Sequence, residues 1–277
     1  MVPKSLRYER GFGATKGLSL RVSVALLNRV VFPHPRNETL MLALERKATV
    51  VRDGEDNIRV CAQPFGGGVR ILNSFPLQEI VGEIQFDSKE SKQEQDFRIL
   101  IPPSKWEVVK QYCLRHLENP DDAELESDPQ RELVEEFEET LNLKLKPEQY
   151  TYQPAGFVIE NEPVSTDNVN VQGQLTVRLY RIFEVHIIDD ALCKTMLSVS
   201  QCDSDQDLRR FALKDFQNGG NGRANSIGTL PLGSVVESYL ALPHDERYQK
   251  IVVENHELDE SVMAILKDVP VPQYQRI

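Results

Sequence analysis

The sequence is poor in the residues that build sulfur or imidazole frameworks. Its four cysteines, Cys61, Cys113, Cys193 and Cys202, include no CxxC pair, and its five histidines are scattered. Zinc sites and disulfide scaffolds need closer spacing, so neither is expected, and a reducing, most simply cytoplasmic, compartment is. No apolar run reaches the ~18 residues that a membrane-spanning helix requires. Residues 1–17, MVPKSLRYERGFGATKG, lack the apolar stretch of a signal peptide, so no membrane partner is expected. Positive charge is also short: 32 Lys and Arg against 43 Asp and Glu give a formal net charge of −11. Binding to a nucleic-acid backbone depends on clustered cations that release counterions, so that class of partner is not expected either.

What is present suits a globular chain, with 40% hydrophobic and 27% charged residues over 277 positions. A lead over residues 1–20 precedes one domain over 21–277. LSLRVSVALLNRVVF and TLMLALERK alternate and are rich in β-branched residues, which predicts two strands joined by a turn. A short strand, IRVCAQ, leads into PFGGGVRIL. There, three glycines in a row predict a sharp turn or a close approach to the backbone. Residues 73–126 read as strands near 80–86 and 97–101, then a helix in IPPSKWEVVKQYCLRHL with Ser104 as its N-cap. Further strands are predicted at 150–159 and 174–188. After a polar region, QNGGNGRANS reads as a surface loop, and GSVVESYLAL and ESVMAILKDV as helices.

The most pointed stretch is DPQRELVEEFEETLNL, residues 128–143, with five glutamates, one aspartate and a single arginine. Asp128 with Pro129 marks a helix start, Ser127 with Gln130 offers a capping box, and Asn142 supplies a C-cap. At about 100° per residue, Glu132, Glu135, Glu136 and Glu139 share one face, opposite Leu133, Val134, Phe137 and Leu141. Glu132 with Glu136 and Glu135 with Glu139 are like-charge pairs four residues apart, each costing roughly 0.2–0.5 kcal/mol. An acidic face is most often solvated surface. Without interleaved lysines, however, these pairs also suit a hard divalent cation, Mg²⁺, Mn²⁺ or Ca²⁺, held by carboxylate oxygens.

Arg131-Glu132-Leu133-Val134-Glu135-Glu136 fits the REUxEE core of the Nudix box, Gx5Ex7REUxEExGU with U aliphatic. RVSVALL and TLMLALERK resemble the first strands of a Nudix domain, PFGGG the glycine segment that opens the box, and TVRLYRIFEV a strand that follows it. The resemblance runs from about Arg21 onward. It implies an α/β (α+β) fold, a three-layer α/β/α sandwich around a mixed β-sheet. It also implies hydrolysis of a diphosphate linkage in a small nucleotide-like substrate with Mg²⁺ or Mn²⁺. By position, Glu132, Glu135 and Glu136 are the implied catalytic and metal residues, with Glu139 a further ligand. Gly66, Gly67 and Gly68 form the substrate loop, and Arg131 orients a glutamate.

The match departs from the pattern at three places. Residues 73–126 are inserted between the glycine segment and the helix. Ala123 stands where the upstream glutamate belongs, leaving Glu124 one step late and Glu83 as a distant substitute. Glu138 replaces the glycine that normally stops the helix. These keep a second function open, a non-catalytic Nudix-like ligand-binding or interaction protein. Arg46, Arg178 and Arg181 are candidate phosphate contacts, with exposure or solvated alternation the ordinary reading. Phe65 and Tyr152 are candidate stacking residues, with core packing the ordinary reading. The inserted helix offers a contact for a homodimer.

Overall fold

The computed structural model describes residues 19–37, 39–50, 58–119, 121–165, 171, 173–202, 204–231, 252–253 and 256–258. Its framework is an open, mixed sheet organised around β1 (Leu20–Pro33). β1 is almost wholly buried, as its β-branched, apolar sequence requires. Along one edge it pairs in parallel with β8 (Leu175–Ile187), which pairs antiparallel with β7 (Tyr150–Ser165). The other edge of β1 is shared in succession by three antiparallel strands. β6 (Arg98–Ile101) pairs with Leu20 to Ser23, β4 (Phe65–Gly68) with Ala25 to Asn28, and β2 (Leu40–Val50) with Val30 to Pro33. β2 then leaves β1 and runs between β3 (Ile58–Gln63) and β9 (Arg223–Pro231). The strands therefore fork just past Asn28. β5 (Gln85–Phe86), β10 (Val252–Val253) and β11 (His256–Leu258) complete the described strands.

Alternation along the strands assigns the helices to faces. Val30, Phe32, Met41 and Ala43 share a core with Leu133 and Phe137 of α4 (Gln130–Leu141) and Leu192 and Met196 of α5 (Asp190–Cys202). Val22, Val24 and Leu26, on the same face of β1, pack with Trp106, Val109, Cys113 and Leu117 of α3 (Trp106–Glu118). Ala48, out of step with Met41 and Ala43, joins Leu208 and Ala212 of α6 (Asp205–Gln217) on the opposite face. No helix among the described residues is long and apolar enough to cross a membrane.

Several sequence expectations need correction. Residues 75–81, inside the segment read as leading to a strand, form α1 (Phe75–Val81), because Pro76 suits a first helical turn and Leu77 tucks its side chain completely into the α3 core. Only Gln85–Phe86 remains extended, and α2 (Lys89–Glu94) precedes β6. Ser104 lies within a 3-10 turn, Pro103–Lys105, so it does not cap α3. The polar region before the glycines is two helices, α5 and α6, and of the loop expected at 217–226 Gln217 ends α6 and the last four residues begin β9. The helices expected in GSVVESYLAL and ESVMAILKDV lie outside the described residues, as do residues 1–18 of the lead.

Candidate functional site

α4 begins where Asp128 Oδ1 accepts a hydrogen bond from Gln130 N at 2.8 Å. The expected capping box does not form, because Ser127 Oγ instead donates to the Asn119 carbonyl at 2.6 Å. The helix ends as its sequence predicts: Asn142 adopts a left-handed conformation, φ 52°, and its N–H donates to the Glu138 carbonyl. Leu133 and Phe137 are fully buried, and the Phe137 ring lies 4.7 Å from that of Phe65. Phe65 is thus core, as the ordinary reading had it. This packing presses α4 onto the glycine strand.

The glycines explain how closely. A Cβ on Gly67 would stand 2.1 Å from Glu132 Oε2, and one on Gly68 would stand 2.8 Å from the Asp96 carboxylate. At Gly66, φ is +143° and a Cβ would stand 2.1 Å from the Leu26 carbonyl, so only glycine fits. The close approach expected from PFGGG is real, and the approaching group is the Glu132 carboxylate.

Around it the charges are densely paired. Arg131 Nε and Nη2 donate to the two oxygens of Glu126, each at 2.6 Å. Arg131 Nη1 donates to Glu135 at 2.8 Å, and Nη2 lies 2.5 Å from Glu132 Oε1. The Arg131 charge is held firmly by Glu126, Glu132 and Glu135 against the opposing effect of burial. Burial raises the Glu132 carboxyl above its ordinary value despite Arg131. Burial, then the neighbouring Glu45, push Glu136 up to about 8. Glu45, on β2, is completely buried, accepts a hydrogen bond from Gln63 Nε2 and lies 3.2 Å from Lys47 Nζ. Burial alone would lower the Lys47 ammonium, but Glu45 and Glu136 outweigh it and raise it.

The four helix glutamates thus divide. Glu132 and Glu136 turn toward the sheet, while Glu135 and Glu139 are exposed. Glu83 is exposed in the turn after α1, and Glu124 serves through its backbone, whose carbonyl accepts from Leu72 N at 2.9 Å and Asn73 N at 3.2 Å. With the Ile71–Leu125 bridge, those bonds bring the two ends of the 73–126 segment together. The same closure delivers Glu126, whose N–H donates to the Arg70 carbonyl, to Arg131.

The arginine candidates on the strands are corrected. Arg46 is buried and paired with Asp205 of α6 at 2.8 Å. Arg178 is buried with Glu160 at 3.0 Å. Arg181 is buried beneath Phe157 and Phe183, its guanidinium 4.4 Å and 5.3 Å from the two rings. Tyr152 remains partly exposed and its hydroxyl accepts from Gln130 Nε2.

Sequence reasoning missed Glu45, Lys47, Asn28, Asp96 and Glu126. For Glu45 and Asn28 a signal existed, since each is a polar residue at an inward position of an apolar strand. Glu126 had none, because only loop closure brings it to Arg131.

The donor set is all oxygen, which suits Mg²⁺ or Mn²⁺, and Glu136 Oε2 is a buried oxygen that accepts no hydrogen bond. The side chains as they stand are spread. Among the described residues no three His, Cys, Asp or Glu side chains gather as a metal centre would. No family model, curated protein or solved structure matches the chain.

Proposed function

We propose that the chain is a Nudix-type hydrolase that cleaves a diphosphate linkage in a nucleoside diphosphate derivative with Mg²⁺ or Mn²⁺. The observation that carries this reading is the seating of REUxEE over the glycine strand, with Glu132 against Gly67 and the half-buried Glu136, its Oε2 enclosed, near Glu45. Helices on both faces of a mixed sheet, with a parallel pair at its centre, support the three-layer arrangement that the motif implies.

Glu136 would hold the divalent ion, with Glu132 and the exposed Glu135 and Glu139 as further oxygen donors. When bound, the ion would neutralise the diphosphate and lower the pKa of the attacking water. Arg131 orients Glu132 and Glu135 by direct ion pairs. Glu132, whose proton affinity is raised by burial, is placed to accept the proton of that water. Gly66 to Gly68 let the Leu26 carbonyl and the Glu132 and Asp96 carboxylates come close to the glycine strand. The substrate is small, consistent with the net charge of −11, and the free, buried Cys113 and Cys193 suit the cytoplasm.

Phosphate release across nucleoside diphosphate derivatives with Mg²⁺ and Mn²⁺, comparing wild type with Glu136→Gln, tests the reading. Hydrolysis of at least one derivative, reduced 100-fold or more by the substitution, is expected. Activity that survives Glu136→Gln refutes the site. A second reading, a non-catalytic Nudix-like binding protein, is favoured by the capture of Glu132 and Glu135 by Arg131. Absence of turnover on every derivative, with binding retained, would establish it instead.

A further inference from the structure

We propose that Glu45 and Asn28, from two strands outside the acidic helix, complete a divalent-cation site with Glu136 at the fork between β2 and β4. The inference rests on the hydrolase reading only through Glu136. Asn28 is completely buried, and neither its amide oxygen nor its amide nitrogen has a hydrogen-bond partner. Leaving such a group unsatisfied in the interior is costly, so its retention inside an apolar strand calls for a partner. Its direction is set by register. Asn28 lies opposite Phe65, and the Phe65 ring packs against that of Phe137 of α4, so Asn28 points to the face that α4 covers.

Glu45 reaches the same face. It lies opposite Ile227, which shares a core with Leu133 and Phe137. Val30 pairs with Ala43; Asn28 lies two residues before Val30 and Glu45 two residues after Ala43, where β1 turns to β4 and β2 to β3. At that parting no backbone ladder links the two strands, which leaves the gap to side chains. Glu45 Oε1 and Glu136 Oε2 are both buried and accept no hydrogen bond, and Glu45 lies near enough to Glu136 to raise the cost of its charge. Two carboxylates and an amide oxygen form a hard-oxygen donor set for Mg²⁺ or Mn²⁺. Lys47, 3.2 Å from Glu45 Oε1, supplies positive charge to the same carboxylate and would compete with the ion for it. In this chain Glu45 would thereby replace the upstream glutamate that the motif lacks.

The full-length protein titrated with Mn²⁺, with free Mn²⁺ read by electron paramagnetic resonance, tests the assignment without relying on turnover. Wild type is expected to take up one ion per chain. Glu45→Gln is expected to weaken that uptake at least tenfold, Asn28→Leu several-fold, and Glu136→Gln to abolish it. Lys47→Met is expected to bind Mn²⁺ more tightly, with a melting temperature that falls without the ion and recovers with it. That variant decides the matter should Glu45→Gln fail to fold, and unchanged affinity there overturns the proposal. Wild-type affinity in Glu45→Gln and Asn28→Leu, with uptake lost in Glu136→Gln, overturns it too while leaving the hydrolase reading intact. No uptake by wild type overturns both.

Discussion

Glu136 is a carboxyl group whose surroundings work against its charge. Its proton affinity rises from 4.5 to about 8, first through burial and then through Glu45. Between those values the folded chain holds a proton that the unfolded chain has released, so this group makes stability fall as pH rises through that window. Glu136→Gln is expected to remove the effect. In urea titrations without divalent ions, the variant should gain on wild type progressively from pH 5 to 8, and parallel curves would refute the assignment. Gly67 offers a second residue-scale test. In Gly67→Ala the new Cβ collides with Glu132 Oε2, not with backbone, so the carboxylate must move. A stability loss of about 1–3 kcal/mol is expected, with circular dichroism unchanged and hydrolysis lost. The collision partner was invisible in the sequence, although three consecutive glycines announced that something would come near.

At the scale of the element, α4 is one helix with two unlike sides. Its apolar side was legible from 3.6-residue periodicity, and Leu133 and Phe137 are indeed fully buried. Phe137→Ala, which removes the ring packed on Phe65, is expected to cost about 3–5 kcal/mol by chemical denaturation. Glu139→Ala, at an exposed position of the same helix, is expected to change stability by less than about 0.5 kcal/mol. A comparable loss from both would mean that the helix is seated otherwise. The acidic side was not one uniform face. Periodicity groups Glu132, Glu135, Glu136 and Glu139 within one arc, but the sheet takes up only the edge of that arc nearest it. Similarly, α1 escaped notice because seven residues are too few to show a period, and its helical state depends on Leu77 finding the α3 core.

For the whole molecule, residues 73–126 are integral to the sheet and its core. β6 extends the edge of β1, and Trp106, Val109, Cys113 and Leu117 join the core beneath it. A chain in which a short linker replaces 73–126 is therefore expected not to fold. Solubility and a cooperative thermal transition in that deletion would show that the segment is dispensable. Strand β1, its neighbour β2, the glycine approach, and the start and end of α4 were determined by the sequence alone, because alternation, periodicity and capping are local and each residue's preference is expressed within a few neighbours. Tertiary structure alone decided which carboxylates meet. Glu126 reaches Arg131 because the segment closes on Ile71 and Leu125. Glu45, on β2, raises the cost of charging Glu136 on α4, and Arg46 is neutralised by Asp205, 159 residues away. Such pairings depend on strand register and loop closure, which bring distant residues together without leaving any spacing in the sequence that records them.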